Sequence, residues 1–246
     1  MLLALDVGNT DAVIGIFQGK SPIFSWRVNT CLLKSFFSKK KDIKRHVNGA
    51  IVSSVVPAMN PTIRFCLRKW KIKKVLFVTQ RLNSPISLKV DRPSEVGADR
   101  IVNAVAAYEK FGGPLLVIDL GTATTIDYID HGGAYRGGVI IPGLKISAEA
   151  LFERAEKLFR IELKSSKKIL GTNTVSQMQS GTVRSYAIML DAMIQEIRRE
   201  IKKRPTIILT GGLGHMIKNL LATPHHFEPH LTLKGLQSLW QYNIKD

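Results

Sequence analysis

The chain is short of cysteine, of acidic residues and of long apolar runs, and each shortage removes a class of protein. Its 246 residues include two cysteines, Cys31 and Cys66, with no CxxC pair and no histidines at metal-ligand spacing. This argues against a disulfide framework or a structural zinc site and fits a reducing compartment. No apolar run approaches the roughly 18 residues that a membrane span needs. The apolar start has no basic segment ahead of it and is interrupted by Asp6, so it does not read as a signal peptide. The expected setting is the cytoplasm, with no membrane partner. GxxxxGK[ST] is missing, which excludes a P-loop, and no GxGxxG follows a strand pattern. The six histidines (His46, His131, His215, His225, His226 and His230) form no catalytic pattern with an acid or nucleophile, and solvated rings are expected. No stretch has the composition of a flexible linker.

Acidic residues number 19 against 36 Lys and Arg, giving a net charge of +17 and a pI near 10.0. Such an excess favours anionic partners: nucleotides, nucleic acid or acidic surfaces. The basic residues fall in several segments and are not interleaved with aromatics expected at the surface. A generally basic surface is therefore expected ahead of a dedicated nucleic-acid site. Hydrophobic residues make up 45% of the chain, an ordinary share that supplies a core. The length suits one large domain or two of about 120 residues each.

What is present is a repeated phrase. Leu115-Leu-Val-Ile-Asp119-Leu-Gly121-Thr122-Ala-Thr124-Thr125 reads as a buried strand that ends in a carboxylate, a glycine and hydroxyls, and Leu2-Leu-Ala-Leu-Asp6-Val-Gly8-Asn9-Thr10 nearly copies it. The repetition predicts a duplicated domain with halves at 1–114 and 115–246. Two such turns facing each other across a cleft would clamp phosphates.

The first half opens as an antiparallel meander, with strands at 2–7, 12–17 and 23–28 joined by Gly8-Asn9 and by a turn at 18–22. Leu32, Leu33, Phe36 and Phe37 have helical spacing, and a solvated lysine run follows at 39–41. A strand at 49–56, a helix at 61–70, a strand at 74–78 and an irregular stretch at 81–96 come next. A helix then runs to about residue 110, with Asp99 near its N-terminus, where the dipole and free N–H groups favour a carboxylate. The second half repeats the meander at 115–120, 124–129 and 134–141. A helix is expected at 147–158, an extended polar stretch at 161–169, and a long helix capped by Asn173-Thr174 and running to about 203. A strand at 206–210 matches 50–56, and a helix at 233–242 ends the chain.

Phosphoryl transfer needs donors around the phosphates, a magnesium holder and a positioned nucleophile, and most of its catalysis is placement and electrostatics. A tight Asp-x-Gly turn followed by hydroxyls can ring a phosphate with backbone N–H groups. Glycine lets the backbone come close. Asp6 and Asp119 repel phosphate and would act through a cation. One such turn is a common hairpin closure. Two of them, each ending the first strand of a meander and joined by Thr210-Gly211-Gly212 and Gly214, make a phosphate site. Asp99-Arg100 reads either as a helix cap with a surface ion pair or as a reacting pair. In the second reading Asp99 takes the proton of a substrate hydroxyl and Arg100 binds an anionic group.

Asp6-Val-Gly-Asn-Thr10, Glu95-Val-Gly-Ala-Asp-Arg-Ile-Val-Asn103, Asp119-Leu-Gly-Thr-Ala-Thr-Thr125, Gly137-Gly-Val-Ile-Ile-Pro-Gly143, Gln179-Ser-Gly181 and Thr210-Gly-Gly-Leu213 stand in this order along the chain. In these runs the chain resembles the type III pantothenate kinase family, nearly end to end. The resemblance implies a duplicated ribonuclease H-like (actin-like ATPase) fold of the sugar kinase, heat-shock ATPase and actin superfamily. Two mixed-sheet α/β halves would enclose an ATP cleft. It implies in-line, ATP-dependent phosphorylation of pantothenate to 4'-phosphopantothenate, the first step towards coenzyme A.

By the same resemblance Asp6, Val7, Gly8, Asn9, Thr10, Asp11, Ala12 and Val13 hold the ATP phosphates, with Asp6 helping to place Mg2+ indirectly. Thr122, Gly211 and Gly212 also touch ATP. Asp99 is the general base, and Val90, Gly97, Ala98, Asp99, Arg100 and Thr174 line the pantothenate site. Asp119 holds K+ or NH4+. A homodimer is implied, with the pantothenate site near its interface. Three departures stand out. Asp11-Ala12 replaces the family's usual Asn-Thr, Val90 replaces a tyrosine of the pantothenate pocket, and the segment between Thr30 and Gly49 is shorter and more basic. Two alternative readings follow from the departures and the charge. One is a kinase for another small hydroxylated substrate. The other is a nucleic-acid-associated regulatory (transcription accessory) protein on a catalytically altered kinase scaffold.

Overall fold

The computed structural model describes residues 1–19, 21–44 and 46–244, without the side chains of Lys41 and Asp42. Lys20, within the turn expected at 18–22, and the Lys41 side chain, within the expected lysine run, lie outside them. Two compact units are formed. One comprises Met1–Gly112, Gly133–Tyr135 and the chain from His230 on. The other comprises Gly113–Gly132 and Arg136–Pro229.

In the first unit β1 (Leu2–Val7) is a nearly unbroken apolar run buried on both faces, as a central strand must be. β2 (Asp11–Gln18) returns antiparallel with Asp6 opposite Val13, and β3 (Ser21–Asn29) adds the edge. After α1 (Leu33–Lys39) and α2 (Lys41–Lys44), β4 (Gly49–Ser54) lies parallel to β1 on its other side. α3 (Asn60–Lys69) and β5 (Lys74–Phe77) follow, and the sheet order is β3-β2-β1-β4-β5. One face of that sheet presents Leu3, Leu5, Val7, Ile14, Ile16, Ala50 and Val52, which cluster with Leu33 and Phe37 of α1 and Ile63, Cys66 and Leu67 of α3. β6 (Ser87–Leu88) pairs in parallel with Ala134 and Tyr135, and α4 (Ala98–Phe111) follows it.

The second unit begins with β7 (Leu115–Leu120), β8 (Ala123–Ile129) and β9 (Ala134–Pro142), whose first two residues group with the first unit. It continues through α5 (Leu144–Arg154), α6 (Thr174–Gln179), α7 (Ser185–Ile201), β10 (Thr206–Thr210), α8 (Gly214–Ile217) and β11 (His226–Phe227). Its strands are ordered β9-β8-β7-β10-β11, which repeats the first sheet. The repetition extends to register: Asp6 lies beside Ser53 and Asp119 beside Thr210, each pair on parallel neighbours. The expected duplication is thus present strand for strand.

The last helix, α9 (Leu231–Asn243), groups with the first unit. Its apolar side packs on α4 and the first sheet, and three glycines make the approach close. A Cβ on Gly235 would lie 2.1 Å from the Val102 carbonyl oxygen, one on Gly15 3.0 Å from Leu233, and one on Gly49 2.3 Å from Trp240. The helix expected at 147–158 is α5, which starts and ends earlier. The long helix after Asn173 is interrupted by a π-helical turn over Ser180–Arg184. β6, α8 and β11 are too short to show a period in sequence. Among the described residues no helix is long and apolar enough to cross a membrane.

Candidate active site

In the first unit the Asp6 turn is held from three sides. The Gly8 N–H donates to the Asp11 carbonyl at 3.0 Å, and the Val55 N–H donates to the Val7 carbonyl at 3.1 Å. Thr30, buried just after β3, donates its hydroxyl to the Gly8 carbonyl at 2.7 Å and its N–H to the Thr10 carbonyl at 2.9 Å. Asn9 and Thr10 stay exposed, and Ala12 is buried. The carboxylate of Asp11 is met at 3.4 Å by Arg27 from the neighbouring strand. The negative charge that distinguishes this turn is therefore partly offset within it. Asp6 and Ser53 share the sheet face opposite α1 and α3, and the buried Ser53 hydroxyl has no hydrogen-bond partner.

The same unit carries the start of α4. Asp99 Oδ1 accepts the Arg100 N–H at 2.8 Å, so the carboxylate folds back on the helix terminus. A Cβ on Gly97 would lie 2.5 Å from that oxygen and would push the carboxylate out of this position. The Gly97 carbonyl accepts the Ile101 N–H at 3.2 Å, with Ala98 opening the helix between them. The Arg100 guanidinium lies 5.7 Å from the ring of Tyr135. The Tyr135 carbonyl accepts the Lys89 N–H at 2.9 Å, so Val90 is the next residue along the chain from that contact. Gly97, Ala98, Asp99 and Arg100 are thus gathered at one helix start.

In the second unit the Asp119 turn is built on close backbone approaches. The Gly121 N–H donates to the Ala123 carbonyl at 3.2 Å. A Cβ on Gly143 would lie 2.1 Å from the Thr122 carbonyl oxygen. Gly211 has φ +93°, and a Cβ there would lie 2.5 Å from both Asp119 Oδ1 and the Leu120 nitrogen. Only glycine serves at 211, on conformation and on space alike. The Leu213 N–H donates to the Leu120 carbonyl at 3.2 Å and fixes the Gly211-Gly212 turn against the end of β7. Gly211 thus lies against Asp119 and Leu120, while Thr122, in the turn after Asp119, lies against Gly143. Thr174 is exposed as the first residue of α6, behind a capping box in which Asn173 and Ser176 exchange hydrogen bonds.

Several residues here escaped the sequence reading. The Tyr186 hydroxyl, on α7, bonds to Thr124 Oγ1 at 2.8 Å and the Pro142 carbonyl at 2.9 Å, tying β8 to the end of β9. Burial pushes its phenol above the usual value, and the Thr124 bond counters this. The buried Asp127 carboxylate accepts the Thr125 hydroxyl at 3.1 Å. Thr30 and Tyr186 act across 22 and 62 residues of sequence, and no local pattern announces such partners. Among the described residues no three His, Cys, Asp or Glu side chains gather as a metal cage.

The family model for type III pantothenate kinase matches residues 2–196. A type III pantothenate kinase of Listeria welshimeri is 39% identical over 254 residues, covering 99% of this chain and 98% of that protein. A Campylobacter jejuni structure assigned to the Baf family of transcriptional activators aligns with TM-score 0.64 at 18% identity, covering 97% of each chain. A Listeria monocytogenes structure assigned as an N-acetylmannosamine kinase aligns with TM-score 0.54 at 11% identity, covering 97% of this chain and 98% of that one. These last two show the fold, that of the actin-like ATPases and sugar kinases.

Proposed function

The chain belongs to the type III pantothenate kinase family, and from that premise we propose how its residues divide the work. The protein is a kinase of coenzyme A biosynthesis that phosphorylates pantothenate at the expense of ATP. Its product in this reading is 4'-phosphopantothenate, formed by direct in-line transfer in the cytoplasm.

The Asp6 turn, residues 6–13, receives the ATP phosphates on its backbone N–H groups and on Thr10. Thr122 and the Gly211-Gly212 backbone contribute further contacts to ATP. Asp99 is the general base for the pantothenate hydroxyl, held on the helix start by the Arg100 N–H. Arg100 binds the pantothenate carboxylate, and Val90, Gly97, Ala98 and Thr174 line the rest of that site. The matching registers of Asp6 with Ser53 and Asp119 with Thr210 support the reading most directly, because they give each half one carboxylate at the same structural place.

Two cations fit these residues. The partnerless Ser53 hydroxyl beside Asp6 marks a polar environment suited to a hydrated Mg2+, which Asp6 would hold through water. The Asp119 carboxylate, an oxygen donor at the end of β7, has the chemistry to hold K+ or NH4+. Bound there, the ions offset phosphate and carboxylate charge. The homodimer draws on the exposed apolar side chains Ile140, Ile146, Leu151 and Ile188 of the second unit.

The test is turnover of pantothenate by the wild type and by Asp99→Asn. The variant should lose about 10²–10⁴-fold in kcat with ATP binding retained. Unchanged turnover would remove Asp99 from the role of base. Replacing potassium by sodium should weaken the wild type, and indifference would remove the ion from Asp119.

A further inference from the structure

The basic excess is far from evenly spread. Between Ala12 and Val90 stand sixteen Lys and Arg and a single acid, Asp42, whereas the remainder of the chain has twenty Lys and Arg against eighteen acids. Nearly the whole net charge thus arises from β2, β3, α1, α2, α3 and β5 with their loops. The structure gathers these elements in one unit. α1 and α3 cover the same sheet face, and β3 is its edge strand. Lys34, Lys39, Arg64, Arg68, Lys69, Lys71, Lys73 and Lys74 are exposed. Among the described residues of this stretch only Arg27 is held in an ion pair.

Two exposed aromatic rings, Phe24 and Phe65, stand among these basic residues, contrary to the expectation from sequence. Phe24 and Trp26, two apart on β3, stack with centroids 5.6 Å apart and planes at 21°. The series continues inward through Phe36, Phe37 and Trp70, with centroid distances of 5.6, 6.0 and 4.7 Å. Its inner end is fixed by the Trp70 indole N–H donating to the Phe37 carbonyl at 3.0 Å. Its outer end, Phe24, is 55% exposed. Lys40 lies 5.2 Å from the Trp26 ring centre, and on α3 Lys69 lies 4.8 Å from the ring of Phe65, itself exposed. No local pattern announces this, because rings and charges from residues 24 to 74 meet only once α1 and α3 are packed.

A row of cations tracks a phosphate backbone, and an exposed ring anchored from behind offers a stacking surface for a base. The geometry points to a second binding site on this face, for single-stranded nucleic acid, with Phe24 as the stacking platform and Lys34, Lys40 and Lys69 among its phosphate contacts. A purely electrostatic surface would need no exposed ring backed by a second one. A membrane-binding face would need a broader apolar belt than Phe24, Leu32 and Phe65 supply. The site uses none of the residues assigned to phosphoryl transfer, so it stands or falls separately from that assignment.

Fluorescence anisotropy of the 246-residue chain tests it, with a labelled thymidine oligonucleotide about 20 nucleotides long as probe. Binding should weaken steeply between about 50 and 200 mM KCl, as counterion release requires. Phe24→Ala should lower affinity by about tenfold through lost stacking, and Phe24→Trp should preserve it. Lys34→Glu with Lys69→Glu should abolish binding and flatten the salt dependence, and kinase turnover should be unchanged in all these variants. Inorganic polyphosphate, which carries the charge without bases, should bind independently of residue 24. No oligonucleotide binding at the lower salt overturns the proposal. So does equal affinity of wild type and Phe24→Ala, or preference for vesicles containing phosphatidylglycerol over the oligonucleotide.

Discussion

Gly211 shows how a single missing Cβ shapes the Asp119 turn. Its φ of +93° is open to few residues, and any Cβ would press on the Leu120 nitrogen and on Asp119 itself. Gly211→Ala should destabilise the protein by about 2–3 kcal/mol, read as a lower midpoint in urea with an unchanged slope. It should weaken ATP binding as well. Tyr186 makes a different prediction. Its phenol is raised by burial above the ordinary 10.0. Below that pH both folded and unfolded chains keep the proton, and stability does not depend on it. Above that pH the unfolded chain ionises first, so stability falls as pH rises towards the folded value. Tyr186→Phe should remove this part of the alkaline decline, measured as denaturation midpoints over pH 9 to about 12. An identical decline in the variant would show that Tyr186 contributes nothing to it.

At the scale of elements, local rules hold best where the chain signals its own ends. The Asn173–Ser176 capping box satisfies the first N–H groups of α6, and Thr174, expected to reach the substrate, rides on that turn. Asn173→Ala should cost about 1 kcal/mol and raise the KM for pantothenate while leaving that for ATP alone. An unchanged pantothenate KM would argue against Thr174 as a contact. The strands were equally legible. Leu2–Val7 and Leu115–Leu120 announce themselves as continuous apolar runs, and their partners follow from glycine turns. Legibility failed for the helix expected at 147–158, because the start of α5 is set by Gly143 lodging against the Thr122 carbonyl. It failed too at the π-helical turn of Ser180–Arg184, whose sequence keeps an ordinary helical pattern.

For the whole molecule, the second unit leaves large apolar side chains in solvent, among them Ile188 at 57% and Ile140 at 65% exposure. The proposed dimer would cover them. Light scattering on the eluted protein should give twice the chain mass of 27.4 kDa. Ile188→Glu should shift it towards that of one chain, because a buried carboxylate without a partner opposes association. A monomeric wild type would end the dimer proposal.

The sequence by itself determined the duplicated strand pattern, the two Asp-x-Gly turns and the carboxylate at the start of α4. Each depends on side-chain periodicity or turn chemistry within about ten residues, and the family motifs fall on these same elements. Tertiary structure alone decided which distant groups hold those turns: Thr30 on Gly8, Tyr186 on Thr124, and Gly211 beneath Asp119. It alone returned α9 to the first unit, since an amphipathic helix can lie on either of two similar sheets and packing shape selects one. It alone also gathered the scattered lysines and rings of residues 24 to 74, because charge and aromatic surface are properties of a folded face and have no period in the chain.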